Sequence, residues 1–187
     1  TPTSVMSNCR GNGVHGIEVR DGDRMMSWLP FYHAMGLVGA MLTLVALQVT
    51  ADYLPTEFFA RRPLLWLELI SRNKATISYS PTFGYELCAR RVKPVQVAEL
   101  DLSSWRVAGL GAEMIRADSM REFSRTFAPA GFNDKAFLSS YGLAECTLGV
   151  SFMPNDSGID VDLVDEGLLA AEHRAGPATA DTAKTRE

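Results

Sequence analysis

The sequence is poor in the residues that build disulfide frameworks and metal clusters. Among its 187 residues are 3 cysteines and 3 histidines, and it contains no Cys-x-x-Cys pair. Cys9, Cys88 and Cys146 are odd in number and widely spaced, so they indicate neither a disulfide framework nor a zinc site. His15 and His173 show no metal-ligand spacing either. These absences favour a reducing, cytoplasmic setting.

An excess of positive charge and a long apolar run are also lacking. The 18 Lys and Arg are outnumbered by 22 Asp and Glu, whereas nucleic-acid binders concentrate basic residues on one face. The longest apolar run, 34–49, is shorter than the roughly 20 residues of a membrane-spanning helix, so it predicts a buried helix and no transmembrane segment. No N-terminal signal is visible, but the chain opens on Thr1 without an initiator Met, and a fragment of a longer protein would not show one. It also has no Gly-x-Ser-x-Gly motif, which disfavours a hydrolase.

The residues that are present suit an α/β fold with a mainly parallel sheet flanked by helices. A hydrophobic content of 47% is enough for a buried core, and strand-like segments alternate with helix-like ones. The predicted strands are 24–30, 75–80, 105–110, 136–140 and 148–152. The predicted helices are 35–48, 61–73, 82–92 with Thr82 as its N-cap, and a segment within 112–132 that places Met120, Phe123 and Phe127 on one face.

The composition changes near Pro154. From there the sequence is first acidic and then rich in Ala and Thr, which predicts a surface excursion with one short helix near 162–173 and an irregular tail. We therefore expect two parts, a globular unit over 1–153 and an insertion-like excursion over 154–187.

The first candidate site is SSYGLAECTLGV at 139–150, where Glu145 stands among small and apolar residues behind Tyr141 and Gly142. We expect it in a loop between two strands, at a sheet edge where α/β folds gather their ligands. Glycine permits close approach of a ligand, tyrosine offers a flat ring, and a carboxylate can hold Mg²⁺ together with substrate phosphates. The alternative is a tight turn whose glutamate is solvated or caps a backbone group.

Two further candidates carry a weaker signal. Gly109, Gly111 and Ala112 lie between a predicted strand and a helix, and backbone groups at such a turn can contact a purine edge or a phosphate. The simpler interpretation is a turn that places Glu113 in the first turn of the next helix. His33 follows two aromatic residues, and a histidine beside apolar residues is more often structural than catalytic.

Four segments, taken in order, resemble those of the adenylate-forming superfamily. They are SWLPFYHAMGL at 27–37, FFARRPLLWLELISRNKATISYSPTFGYELCARRV at 58–92, LDLSSWRVAGLGAE at 100–113 and SSYGLAECTLGVSF at 139–152. Within that superfamily they look like fatty acyl-AMP ligases, which use ATP to activate long-chain fatty acids for transfer to acyl carrier proteins. The resemblance covers about residues 24–153 and implies part of the large N-terminal domain of such an enzyme.

The resemblance assigns roles to matching positions. Glu145 would hold Mg²⁺ and His33 would lie beside the reacting carboxylate and phosphate, so these two residues would be the catalytic pair. The nucleotide, with its adenine against the tyrosine, would be bound by Gly111, Ala112, Glu113, Ser140, Tyr141, Gly142, Leu143 and Ala144. The acyl pocket would be walled by Met35, Gly36, Ser80, Pro81, Thr82, Phe83 and Tyr85. The implied reaction is attack of a fatty carboxylate on the α-phosphorus of ATP, with release of pyrophosphate.

Some positions depart from the family pattern. Ser4 stands where a glycine is usual at the end of the phosphate loop, Ala34 where Asp commonly follows the histidine, and Thr82 where Asn is common. The rest of the phosphate loop, the ribose-binding Asp and the small C-terminal domain do not occur in this sequence, so we expect the isolated chain to be inactive.

The acidic segment 154–180 bears on the subclass, because it resembles an insertion that distinguishes fatty acyl-AMP ligases from acyl-CoA ligases. It therefore favours transfer to a carrier protein. The alternatives are an acyl-CoA ligase and a non-catalytic module that binds an adenylate or a lipid.

Overall fold

A six-stranded sheet forms the centre of the molecule in the computed structural model, which describes residues 1–178 and 185–186. Its strands are β1 (Arg24–Ser27), β2 (Thr50–Tyr53), β3 (Ile77–Ser80), β4 (Val107–Leu110), β5 (Phe137–Gly142) and β6 (Gly149–Phe152). Their order across the sheet is β2-β1-β3-β4-β5-β6. All neighbours are parallel except β5 and β6, which are antiparallel. The predicted α/β fold with a mainly parallel sheet is confirmed.

Helices connect these strands. In the described residues the α-helices are α1 (Pro2–Arg10), α2 (Thr43–Leu47), α3 (Thr56–Arg61), α4 (Leu64–Asn73), α5 (Thr82–Arg91), α6 (Pro94–Val97), α7 (Ala117–Phe127) and α8 (Glu166–Glu172). A π-helical segment, Gly11–Gly16, continues α1, and a second one, Met35–Leu42, leads into α2. Beyond the main sheet, β7 (Val164–Asp165) pairs with β8 (Thr185–Arg186).

The central strands are buried on both faces. Every residue of β3 and of β4 is buried, as expected for strands inside a parallel sheet that is covered by helices. The alternating pattern at 75–80 therefore does not mark an exposed face. Ser78 is satisfied inside the core, since it accepts a hydrogen bond from Trp66 Nε1 at 2.8 Å and donates to Met26 O at 2.5 Å.

Two predicted helices are confirmed by their buried faces. In α4 the buried residues are Leu64, Trp66, Leu67 and Ile70, and the helix ends where Lys74 adopts a left-handed conformation with φ 53°. In α7 the predicted face of Met120, Phe123 and Phe127 is buried. The positions of two helix starts differ from prediction. Helix α7 begins at Ala117, and the N-cap of α5 is Pro81 rather than Thr82, which is already the first helical residue.

Large aromatic rings tie the helices to the sheet. Trp66 of α4 lies edge-on to Trp105 with ring centroids 5.3 Å apart, and Tyr85 of α5 lies edge-on to Phe123 of α7 at 5.0 Å. All four side chains are at most 1% exposed. Because such rings combine large buried area with favourable edge-to-face contacts, they account for much of the cohesion between α4, α5 and α7.

An ion pair lies at the amino ends of the parallel strands. The Asp23 carboxylate accepts hydrogen bonds from Arg106 Nε at 3.0 Å and from Thr76 Oγ1 at 2.7 Å. Arg106 also donates to the carbonyls of Ile17 and Glu18. This network joins the segments that lead into β1, β3 and β4.

Several elements went unpredicted. The sequence analysis did not anticipate α1, the π-helical segment after it, or the edge strand β2, whose burial is only partial. The apolar run 34–49 is helical as predicted, but Val45 within it is 70% exposed. Among the described residues, none of the helices has the length and apolarity that crossing a bilayer requires.

Candidate active site

The carboxyl ends of the parallel strands surround one cavity of ≈ 400 Å³. The chain leaves β1, β4 and β5 at this edge, and the segments that follow these strands carry the predicted site residues. Ligands of open α/β sheets bind at such an edge. The predicted residues that line the cavity are His33, Met35, Gly111, Ala112, Ser140, Tyr141, Gly142, Leu143 and Ala144.

Strand pairing brings the two predicted nucleotide segments together. Leu110, the last residue of β4, pairs with Ser139 of β5, so the chain after β4 runs beside 140–142. A side chain at Gly111 would place its Cβ 3.1 Å from the carbonyl oxygen of Ser140, so glycine allows the two segments to approach closely. Ala112 adopts a left-handed conformation with φ 69°. A strained residue at a cavity wall is typical of a functional site.

The 111–116 loop is anchored to α5. Glu113 Oε1 accepts a hydrogen bond from the backbone N–H of Phe83 at 2.9 Å, and Thr82 Oγ1 donates to the carbonyl of Met114 at 3.3 Å. A carboxylate at a helix N-terminus is favoured by the helix dipole. The interpretation that placed Glu113 in the first turn of the following helix is wrong, because the carboxylate caps a different helix and α7 starts at Ala117. Glu113 itself is not among the residues that line the cavity.

Glu145 lies in the turn between β5 and β6, in the position that the flanking strands predict. The turn is a short 3₁₀-helix, Ala144–Cys146, closed by a hydrogen bond from Leu143 N–H to Leu148 O at 2.9 Å. A Cβ at Gly142 would lie 2.2 Å from that same carbonyl oxygen, so only glycine fits there. Glu145 is exposed and faces a depression next to the cavity, which is lined also by Ser4, Ser7, Asn8, Gly11, Cys146 and Thr147.

Asn8 fixes this turn against α1, and the sequence analysis missed it. Its Nδ2 donates to Cys146 O at 3.2 Å and to Gly149 O at 2.9 Å, while its Oδ1 accepts from Gly149 N–H at 3.3 Å. The amide therefore pairs with backbone on both sides of the turn. Because these partners are 138 to 141 residues away along the chain, no local sequence signal could have revealed the contact.

His33 is exposed at the rim of the cavity. Its Nδ1 accepts a hydrogen bond from the backbone N–H of Met35 at 3.2 Å. Because Nδ1 is an acceptor, the proton of the neutral ring is on Nε2, which can therefore donate a hydrogen bond. The His33 ring is thus oriented by a backbone hydrogen bond.

Most of the predicted acyl-pocket residues lie elsewhere. Met35 lines the cavity, whereas Gly36, Ser80, Pro81, Thr82, Phe83 and Tyr85 do not. A Cβ at Gly36 would lie 2.1 Å from Pro30 O, and Tyr85 donates its hydroxyl to Gly109 O at 2.9 Å inside the aromatic core. That these six residues line an acyl pocket stays a prediction, which this cavity does not support.

The apolar end of the cavity is built by other residues. Ile17, Met25, Met35, Gly39, Leu148 and Phe152 line it, between the two π-helical segments and the β5–β6 pair. Phe152 of β6 pairs with Ser140 of β5. Because both strands were predicted from the sequence, their pairing could have placed Phe152 near the site. Ile17 and Gly39 lie in or directly after segments whose irregular geometry the sequence does not show.

The cavity wall carries no Lys, Arg, Asp or Glu in the described part of the chain. Within residues 1–178 and 185–186, no three His, Cys, Asp or Glu side chains group closely enough to hold a metal ion. The exposed carboxylate of Glu145 fits Mg²⁺ in another way, since this ion is usually held by one or two carboxylates together with substrate phosphates. The open ring of Tyr141, 63% exposed, is available to stack on a base.

Comparison with known proteins agrees with this geometry. The family profile described as AMP-binding enzyme matches residues 1–177. A Caulobacter vibrioides protein that carries the name acyl-CoA synthetase is 49% identical over a gapped alignment of 194 positions, which covers 100% of this chain and 34% of that protein. The medium-chain-fatty-acid–[acyl-carrier-protein] ligase TtuA of Teredinibacter turnerae is 45% identical over 125 residues, covering 67% of this chain and 20% of its own length.

A solved structure supports the same relationship. A structure from a study of fatty acyl-adenylate ligases of E. coli and L. pneumophila has a TM-score of 0.96 and 51% sequence identity. The match covers 98% of this chain and 33% of that one. The chain thus spans about a third or less of the length of the relatives it matches.

Proposed function

Because the chain belongs to the AMP-binding enzyme family, we propose that it forms the nucleotide cleft and acyl cavity of a ligase that activates fatty acids with ATP. The product is an acyl-adenylate that is passed to an acyl carrier protein. The observation that carries the proposal is that the 111–112 turn and the end of β5 line one cavity with an apolar extension.

The adenylate lies where β4 and β5 end. The adenine stacks on the exposed ring of Tyr141, and Gly111 and Ala112 form the other wall of its slot. Gly142, Leu143 and Ala144 run past the α-phosphate. Glu113 contributes through its bond to Phe83 N–H, which holds the 111–116 loop in place.

His33 and Glu145 serve the reacting groups. The fatty carboxylate attacks the α-phosphorus, the bond to the pyrophosphate oxygen breaks, and no protein group becomes covalently modified. His33, oriented through Nδ1, donates from Nε2 to the carboxylate or phosphate oxygens. Glu145 would hold Mg²⁺, which offsets charge on the departing pyrophosphate when it is bound. Since the cavity wall has no Lys or Arg in the described part of the chain, this charge compensation must come from outside the wall.

The acyl chain occupies the apolar end of the cavity. Ile17, Met25 and Phe152 supply a surface against which methylene groups lose contact with water. Each buried CH₂ contributes about 0.8 kcal/mol, so chain length is the main determinant of affinity. A long-chain acid remains part of the proposal, and the relative TtuA is named for medium-chain acids.

The acyl acceptor separates the two candidate functions. Residues 154–178 follow the β5–β6 pair and resemble the insertion that favours a carrier protein, and TtuA is named for such a carrier. The name of the Caulobacter relative favours an acyl-CoA ligase instead. A cytoplasmic location fits the three cysteines, all of which are free.

Pyrophosphate release by the full-length form of the protein, with ATP, Mg²⁺ and fatty acids of graded length, tests the proposal. We expect release that depends on the fatty acid and acyl transfer to a phosphopantetheine-loaded carrier protein. Release without transfer, combined with formation of acyl-CoA, favours the acyl-CoA ligase. If no acid supports release, the chain is a non-catalytic module and the proposal is wrong.

A further inference from the structure

The turn that carries Glu145 has a strained backbone. Thr147, which ends the short 3₁₀-helix of this turn, has φ 78° and ψ −57°. A positive φ is uncommon for any residue other than glycine, and a β-branched residue with this conformation is a clear outlier. Such strain persists only where the surrounding structure over-determines the conformation, and it clusters at ligand sites. Contacts from outside the turn must therefore hold it in place.

Asn8 of α1 supplies this restraint. Its Nδ2 donates to Cys146 O at 3.2 Å, directly before Thr147, and to Gly149 O at 2.9 Å, two residues after it. Its Oδ1 accepts a hydrogen bond from Gly149 N–H at 3.3 Å. One side-chain amide thus holds the backbone on both sides of the strained residue.

Asn12 supports Asn8 from the π-helical segment that continues α1. Asn12 is 3% exposed, and its Nδ2 donates to Asn8 Oδ1 at 3.0 Å. Because the same oxygen also accepts from Gly149 N–H, it is fixed as the acceptor of the amide, and Asn8 Nδ2 is left to donate to the turn. A Cβ at Gly149 would lie 2.2 Å from Asn12 Oδ1, so glycine lets the start of β6 approach this second amide closely. Two amides in series therefore connect the first helical segments to the turn.

We infer that Asn8 and Asn12 are positioning residues for the Glu145 carboxylate and thereby set its affinity for Mg²⁺. This inference rests on the proposed function, because it concerns the metal of the same site. Glu145 belongs to the 3₁₀-helix that Thr147 ends, and it lines the same depression as Asn8. Without the Asn8 amide the turn relaxes from its strained conformation, and the carboxylate is no longer held where it can share Mg²⁺ with substrate phosphates. Asn8 acts through the turn and not by contact with the ion.

The test is the metal dependence of the full-length protein carrying Asn8→Ala. The Mg²⁺ concentration for half-maximal pyrophosphate release should rise about tenfold, because loss of a group that orients a metal ligand typically lowers metal affinity by about 10–100-fold. The KM for the fatty acid should stay unchanged. Mn²⁺ prefers the same oxygen ligands, so the dissociation constant of MnATP, measured without fatty acid by water proton relaxation, should rise by a similar factor without any turnover. Asn12→Leu should shift both values in the same direction by a smaller factor.

A double variant separates positioning from a general loss of stability. In the Glu145→Gln background, Asn8→Ala should cause no further rise in either value, because the effect of Asn8 passes through that carboxylate. A merely structural contribution of Asn8 would instead add in full to the effect of Glu145→Gln.

Asn73→Ala is the matched control. It also removes an amide that binds a residue distant in sequence, since Asn73 Nδ2 donates to Asp52 Oδ2 at 3.0 Å, but Asn73 lines neither the cavity nor the depression. Its metal dependence should equal that of wild type. The inference is overturned if Asn8→Ala leaves both values unchanged, or if its effect is additive with that of Glu145→Gln. If no acid supports pyrophosphate release by the wild type, the proposed function fails, and MnATP binding still decides whether Asn8 positions Glu145.

Discussion

Removing the Asp23 carboxylate should destabilise the fold without touching the cavity. Asp23 accepts hydrogen bonds from Arg20 N–H at 2.8 Å, Thr76 Oγ1 at 2.7 Å and Arg106 Nε at 3.0 Å, and Arg106 Nη2 contacts its second oxygen. The Asp23 side chain is 4% exposed and that of Arg106 is 18% exposed. The Asp23→Ala substitution therefore leaves a largely buried guanidinium without its counter-ion.

The expected loss follows from that burial. Removing one partner of a buried ion pair lowers the free energy of unfolding by about 3–5 kcal/mol. We expect the lower end of this range because Arg106 keeps its hydrogen bonds to the carbonyls of Ile17 and Glu18. With an m-value of about 2 kcal/mol/M, the urea midpoint should fall by about 1.5 M. Fluorescence reports the unfolding, since Trp28, Trp66 and Trp105 are all buried.

A control and a pH series sharpen the test. Asp118→Ala removes a carboxylate that is 87% exposed, so its midpoint should hardly move. Burial disfavours the ionised form of Asp23, but the hydrogen bonds from Arg106, Arg20 and Thr76 outweigh it and lower its pKa. A lowered folded pKa stabilises the protein above the unfolded value, and this stabilisation is lost as pH falls through the folded pKa. The difference between wild type and Asp23→Ala should therefore shrink in acid.

The reasoning is refuted if Asp23→Ala shifts the midpoint no more than Asp118→Ala does.

Three further predictions concern the turn between β5 and β6. Glu145→Gln should raise the Mg²⁺ concentration needed for half-maximal pyrophosphate release at least tenfold, and an unchanged value would reduce Glu145 to a turn residue. Asn8→Ala should increase amide hydrogen exchange at Gly149, which loses its acceptor; unaltered exchange would contradict the positioning role. Cys146 is exposed while Cys9 and Cys88 are buried, so iodoacetamide should label Cys146 alone and MgATP should slow that labelling. Equal rates with and without nucleotide would place the phosphates elsewhere.

The sequence predicted the parts of the fold that local patterns encode. Apolar spacing in 61–73 and in 112–132 identified the buried faces of α4 and α7. The strands on either side of Glu145 were predicted from their short apolar runs, which placed this residue in the connecting turn. The α/β alternation then implied that the segments after the strands meet at one edge of the sheet.

The remainder depends on contacts between distant residues. Asn8 and Glu113 act through hydrogen bonds to backbone that is far away in sequence, and neither bond follows from a spacing rule. The two π-helical segments shape the apolar end of the cavity, although their sequences look like ordinary apolar or glycine-rich stretches. The acyl pocket was predicted at 80–85 because of the family resemblance alone. Phe152 and Ile17 line the cavity instead, because strand pairing positions Phe152 and Ile17 directly follows a π-helical segment.

The most direct measurement is the affinity of the full-length protein for a non-hydrolysable acyl-sulfamoyl adenosine before and after Tyr141→Ala. Stacking of a base on an aromatic side chain contributes about 1–3 kcal/mol, so the dissociation constant should rise about tenfold or more. Phe58→Ala, which removes a ring that is 51% exposed on α3, should leave the affinity unchanged. Equal affinities for wild type, Tyr141→Ala and Phe58→Ala would contradict the assignment of this cleft to the adenylate.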